Sequence, residues 1–124
     1  MPKQTFFNLQ EDKRERIVTA SIEEFAEHYY HKASISRIVK NAGIAKGSFY
    51  QYFEDKKDLF KFIVEKIGER KMEYLGPEMS SIDKSDFFQV VRSMYISGIK
   101  FAMENPRLQE IGNNFVKDND MNLK

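Results

Sequence analysis

Cysteine is absent from the 124 residues, so neither a disulfide framework nor a thiolate zinc site is open to this chain. No apolar run approaches the roughly 20 residues needed to span a bilayer. The opening MPKQTFFNLQEDKRER has no apolar core of the kind a signal peptide requires. The expectation is a soluble, cytoplasmic protein with no membrane partner. Alternating β-patterns, internal repeats and low-complexity tracts are also missing, which leaves helix as the organising element. The most informative absence is local. No acidic residue occurs from His28 to Phe53, while Lys32, Arg37, Lys40 and Lys46 all fall inside that window.

The net charge is +1, and it divides unevenly. Residues 1–71 hold 14 Lys or Arg against 11 Asp or Glu, and residues 72–124 hold 6 against 8. A polyanionic partner would therefore meet the first part of the chain.

Apolar spacing divides the chain into six helices. Asn8-Leu9-Gln10-Glu11 reads as a capping box. A first helix follows from about Gln10 to His28, with Ile17, Val18, Ser21, Ile22, Phe25, Ala26 and Tyr29 on one face. The second helix begins at Ser34 or Ser36, buries Ile35, Ile38, Val39 and Ala42, and ends at Gly43, which can take a positive φ. A third runs from about Ala45 to Tyr52, with Phe49 and Phe53 inward. Asp55-Lys56-Lys57-Asp58 caps the fourth, whose stripe is Phe60, Ile63, Val64 and Ile67, and Gly76-Pro77 is expected to stop it. Glu78 to Asp83 reads as a polar connector. The fifth helix is expected from about Lys84 to Glu104, with Phe87, Phe88, Val91, Met94, Tyr95, Gly98, Phe101 and Ala102 as its apolar stripe. Asn105-Pro106 opens the sixth, which carries Leu108, Ile111 and Phe115 before a frayed tail, DNDMNLK. The fold class is all-α.

Ala33 to Phe53 thus forms a basic, acid-free helix-turn-helix, a pattern suited to DNA. A recognition helix needs small or polar residues at its leading end so that its backbone can approach the groove, and Ala45-Lys46-Gly47-Ser48 supplies them. Lys46 can reach a phosphate or a guanine edge, and Ser48 a base or phosphate. Gly47 costs about 1 kcal/mol inside a helix relative to Ala; close approach to DNA or to a neighbouring helix would account for it. Tyr50, Gln51 and Tyr52 follow, and either tyrosine could instead pack into the core. Ser34 and Ser36 suit capping as well as phosphate contact, and Arg37 and Lys56 would add charge at helix starts.

Competing chemistry is thin. Glu24 and His28, like Glu27 and His31, are four apart, a spacing compatible with metal ligands, but no second histidine cluster completes a site. Gly43 to Ser48 lacks the glycine spacing of a phosphate loop, and the histidines offer no hydrolytic triad. No cofactor is expected. A metal-dependent helical enzyme is the weakest alternative. A helical interaction module without DNA binding is the stronger one, although it leaves the acid-free window unexplained.

The run from Lys13 to Phe60 resembles the DNA-binding domain of TetR-type bacterial transcriptional regulators. The resemblance rests on Arg16-Ile17, Phe25-Ala26-Glu27, Ser34-Ile35, Ile38-Val39, Ala42-Gly43-Ile44, Lys46-Gly47-Ser48-Phe49-Tyr50, Tyr52-Phe53 and Lys56 with Asp58-Leu59-Phe60. It implies a helix-turn-helix DNA-binding domain at 1–55, then a linker helix and part of a regulatory and dimerisation domain at 56–124. By position, DNA contact is expected from Ser34, Ser36, Arg37, Lys46, Gly47, Ser48, Tyr50, Gln51, Tyr52 and Lys56. The same likeness implies a non-enzymatic repressor that binds a palindromic double-stranded DNA operator as a homodimer. It further implies release by a small hydrophobic effector, for which Phe88, Met94, Tyr95 and Phe101 are the candidate lining. Two departures accompany it. Tyr29 stands where the family has glycine after helix one. The family's dimerisation helices would lie beyond Lys124, so the usual self-association surface is not expected within these residues.

Overall fold

A computed structural model describes residues 1–80 and 82–122, with side chains as far as Asp118. The described residues form seven α-helices: α1 (Gln4–Phe7), α2 (Glu11–Glu27), α3 (Ile35–Ala42), α4 (Lys46–Tyr52), α5 (Lys56–Ser80), α6 (Phe87–Glu104) and α7 (Pro106–Asn122). A short 3₁₀ turn, Tyr30–Lys32, joins α2 to α3. No strand occurs among them.

Local chemistry sets most boundaries. Ser34 caps α3 by accepting the Arg37 amide at 3.2 Å. Gly43 ends that helix in the left-handed region at φ 74°, and the Ile44 amide reaches back to the Val39 carbonyl at 3.0 Å. Asp55 and Asp58 form a reciprocal box at the start of α5. Asp55 accepts the Asp58 amide at 2.8 Å, and Asp58 accepts the Glu54 amide at 3.1 Å. Asn105 precedes Pro106 and bonds back to the Phe101 carbonyl at 3.2 Å.

Four expectations change. Asn8 is not the cap of the first long helix. It closes α1, and Gln10 precedes α2 with no side-chain cap. Pro77 does not stop α5, which continues to Ser80. Proline removes one intrahelical donor, but Lys100 pairs with Glu78 at 2.6 Å and Ser93 donates to the Glu78 carbonyl, so α6 secures the turn beyond it. Helix α6 starts at Phe87, because Asp86 accepts the Phe88 and Gln89 amides while Asp83 draws Ser85 into a local turn. Backbone from Asp118 to Asn122 continues α7, while Leu123, Lys124 and the connector residue Ser81 lie outside the described residues.

The core is continuous from α1 to the first half of α5. Ile17, Phe25, Ile38, Phe49, Phe53, Leu59 and Ile63 are fully buried in it, with Phe6 beside Phe53 at 5.0 Å between rings. Phe101 and Ile111 extend it under α6 and α7. The largest departure concerns α6. Its buried positions are Ser93, Ser97 and Phe101, whereas Phe87, Phe88, Tyr95 and Met103 are 71–81% exposed. Small serines at four-residue spacing let α6 lie close on α5, and the apolar stripe faces outward.

Candidate nucleic-acid interface

Helices α3 and α4 form the helix-turn-helix. Its outer face presents Ser36, Lys46, Gly47, Tyr50 and Gln51 as exposed residues, with Ser48 half-buried. Lys46 donates to the Ser36 hydroxyl at 3.1 Å, so the two expected contacts stand together across the turn. A Cβ built on Gly47 meets nothing within 4 Å. No neighbouring helix therefore demands glycine there, and the space outside it is open. Tyr50 is 44% exposed, with its ring edge on Phe49.

Other expected contacts are committed internally. Ser34 is the α3 cap, and its own amide donates to Glu24 at 2.9 Å. Arg37 forks onto the same carboxylate, at 2.6 Å from Nη2 and 2.9 Å from Nε, and also donates to the Lys32 carbonyl. Lys56 donates to the Tyr30 and Ala33 carbonyls and lies 4.5 Å from the centre of the Tyr30 ring. Tyr52 is only 6% exposed, its ring against Phe6. Its side chain belongs to the core, because one more helical step from Gln51 turns it inward beside Phe49.

Glu24 was legible only as a ligand-spaced carboxylate. In the fold it is buried at 4% exposure and reaches into the window that contains no acid of its own. Burial pushes its carboxyl up, but hydrogen bonds from Arg37 and the Ser34 amide, with the charges of Arg37 and His28, outweigh this and hold it below the usual range. The Arg37 guanidinium is correspondingly raised, chiefly by its hydrogen bond to Glu24. The metal alternative loses its residues to other partners, since Glu24 serves Arg37 and His31 lies 3.1 Å from Asp118.

The N-terminal residues play a part that sequence reasoning missed. The Lys3 amide donates to the Tyr52 carbonyl at 2.8 Å, Lys3 Nζ to the Tyr50 carbonyl at 2.9 Å, and the Thr5 hydroxyl to the Gln51 carbonyl. These are the orphan carbonyls at the end of α4, so the N-terminal residues cap α4 while Phe6 anchors it. The apolar Phe6-Phe7 pair ahead of the first long helix was the available signal.

The four candidate effector residues do not converge. Phe88 and Tyr95 lie on the exposed face of α6, Phe101 is 1% exposed against Tyr74, and only Met94 and Phe101 share a shallow cleft with Lys71 and Met72.

Helices α3 and α4 thus present an exposed basic helix-turn-helix seated on a helical core, the arrangement of a helix-turn-helix DNA-binding module. Residues 17–63 match the family described as bacterial regulatory proteins, tetR family. Over those residues the chain is similar to the N-terminal domain of that family. It is 48% identical over 67 residues to the uncharacterized HTH-type transcriptional regulator YvdT of Bacillus subtilis, covering 54% of this chain and 32% of the relative. The fatty acid metabolism regulator protein of the same organism is 42% identical over 55 residues, 44% of this chain and 28% of the relative. Among solved structures, a TetR family transcriptional regulator from Chloroflexus aurantiacus superposes with a TM-score of 0.76 at 43% identity, over 90% of this chain and 51% of that one. The chain thus spans about a third of the curated relatives it matches and about half of that solved chain. These relatives and neighbours are transcriptional regulators, not enzymes.

Proposed function

We propose that this chain is the operator-reading part of a DNA-binding transcriptional regulator, with α4 as the helix that enters the major groove. The observation that carries this reading is the face of α4 at its leading end: Lys46 exposed beside Ser36, and open space at Gly47. In this reading Lys46 and Tyr50 anchor the helix, Ser36, Ser48 and Gln51 supply further contacts, and the Gly47 backbone approaches the phosphates. Ser34, Arg37 and Lys56 hold the α3 entrance in shape, and any phosphate contact they make adds to bonds already formed. Residues 1–55 are the reading head, and α5 begins the regulatory part at residue 56.

Two copies would read palindromic half-sites about one DNA turn apart, ~34 Å. Repression relieved by a small hydrophobic molecule is the regulatory habit that the family likeness supports. The test is duplex binding measured across salt. Lys46→Ala should lower the slope of log affinity against log salt by about 0.9, one phosphate's worth. Gly47→Glu should abolish binding, because a carboxylate then faces the phosphates. Unchanged curves for Lys46→Ala and Tyr50→Ala, in protein of normal helicity, would exclude this placement of α4.

A further inference from the structure

A groove of about 680 Å³ runs between the 3₁₀ turn, the first half of α5 and the far end of α7. Its volume is that of a small-molecule site. Tyr30, Phe60, Val64 and Phe115 line it. Three are aromatic and form one cluster, with Tyr30 and Phe60 edge-to-face at 5.0 Å and Phe60 and Phe115 tilted at 5.9 Å. None of the effector residues expected from sequence belongs to it.

The charges along the groove give it a direction. Lys57 and Lys61 are one helical turn apart on its rim, near the N-terminal end of α5, where the helix dipole also favours an anion. Among the described residues the nearby aspartates already have partners: Asp58, outside the groove, holds the N-terminal amine at 2.5 Å, and Asp118, which lines the groove, faces His31 in the same lining at 3.1 Å with only 11% of its side chain exposed. Glu65 stands one turn beyond Lys61, so a negative group is favoured at the Lys57 end of the stretch and disfavoured at the Glu65 end.

We propose that this groove binds a small aromatic carboxylate, with the ring system on Phe60, Phe115 and Tyr30 and the carboxylate between Lys57 and Lys61. A flat ring gains edge and offset contacts from such a cluster. The site touches the turn that leads directly into α3, and the His31–Asp118 contact ties that turn to α7. Occupancy would therefore bear on the seating of the helix-turn-helix. That consequence rests on the DNA-binding reading, whereas binding itself does not.

Naphthoate titrated calorimetrically into the 124-residue chain, with no DNA present, tests it. Saturable one-to-one binding is expected, and naphthylmethylammonium, of like shape and opposite charge, should not bind. Lys57→Gln with Lys61→Gln should weaken naphthoate about tenfold. Val64→Asp, at a position 40% exposed and so tolerant of change, should weaken it at least as much. Circular dichroism checks that each variant keeps its helicity. Absence of saturable binding, equal binding of the cation, or unchanged affinity in either variant of normal helicity would overturn the proposal. Failure here with intact duplex binding leaves the operator reading standing, and the converse result leaves the groove standing.

Discussion

Replacing Glu24 by Gln isolates the link that ties α2 to the entrance of α3. In the native fold one carboxylate oxygen, Oε2, takes the Ser34 amide at 2.9 Å, Arg37 Nε at 2.9 Å and Arg37 Nη2 at 2.6 Å. Glutamine preserves the shape but offers a single oxygen, and it sets an NH₂ group against existing donors. Hydrogen bonds to charged groups contribute about 1.5–3 kcal/mol each. Breaking a fully buried ion pair costs about 3–5 kcal/mol. Half of the Arg37 side chain is exposed and can rehydrate, which lowers the expected loss to about 2 kcal/mol. The pH dependence carries the diagnostic sign. The Glu24 pKa is depressed in the fold, so its contribution is complete above the unfolded value of about 4.3 and disappears as pH falls through the folded value. Urea midpoints of the native chain and Glu24→Gln should therefore differ clearly near pH ~7 and converge as the pH falls through the folded value of Glu24. Equal midpoints at neutral pH, or a gap that persists in acid, would refute the reasoning.

Phe101→Ala should destabilise the chain by about 3–5 kcal/mol, because that ring is fully enclosed, whereas Tyr95→Ala on the same helix should stay within about 0.5 kcal/mol. Thermal unfolding distinguishes the two, and similar losses would show that the buried face of α6 has been misassigned. Phe6→Ala should cost about 3–5 kcal/mol and also speed amide exchange in the last turn of α4, which the N-terminal residues cap. Exchange confined to α1 would argue against that role. Asn114 donates to the Phe25 and Ala26 carbonyls at 3.2 and 2.9 Å, so Asn114→Ala should cost about 1 kcal/mol. Its amide-exchange effect should appear at the end of α2 and in the 3₁₀ turn, and exchange altered only within α7 would count against the link.

What the sequence by itself determined is local. Ser34 as a cap, Gly43 as a left-handed stop, the Asp55–Asp58 box and the Asn105-Pro106 start each depend on one residue's backbone chemistry and a few neighbours. Their spacing fixed the helix-turn-helix and made Lys46, Gly47 and Ser48 recognisable as its leading end. Tertiary structure decided what each face meets. The apolar stripe of α6 is real in sequence, yet Ser93 and Ser97 lie against α5, because close backbone approach favoured small side chains there. Tyr52 shares the inward face of α4 with Phe49 by helical spacing, but only the packing of Phe6 on α1 against its ring shows that this face is covered there, while Tyr50 stays half-exposed. Glu24 belongs to the same class. Helical spacing shows it one turn from His28, but its partner is Arg37, 13 residues away, brought near by the turn between α2 and α3. Periodicity states which residues share a face, and only the packed neighbours determine whether that face is covered.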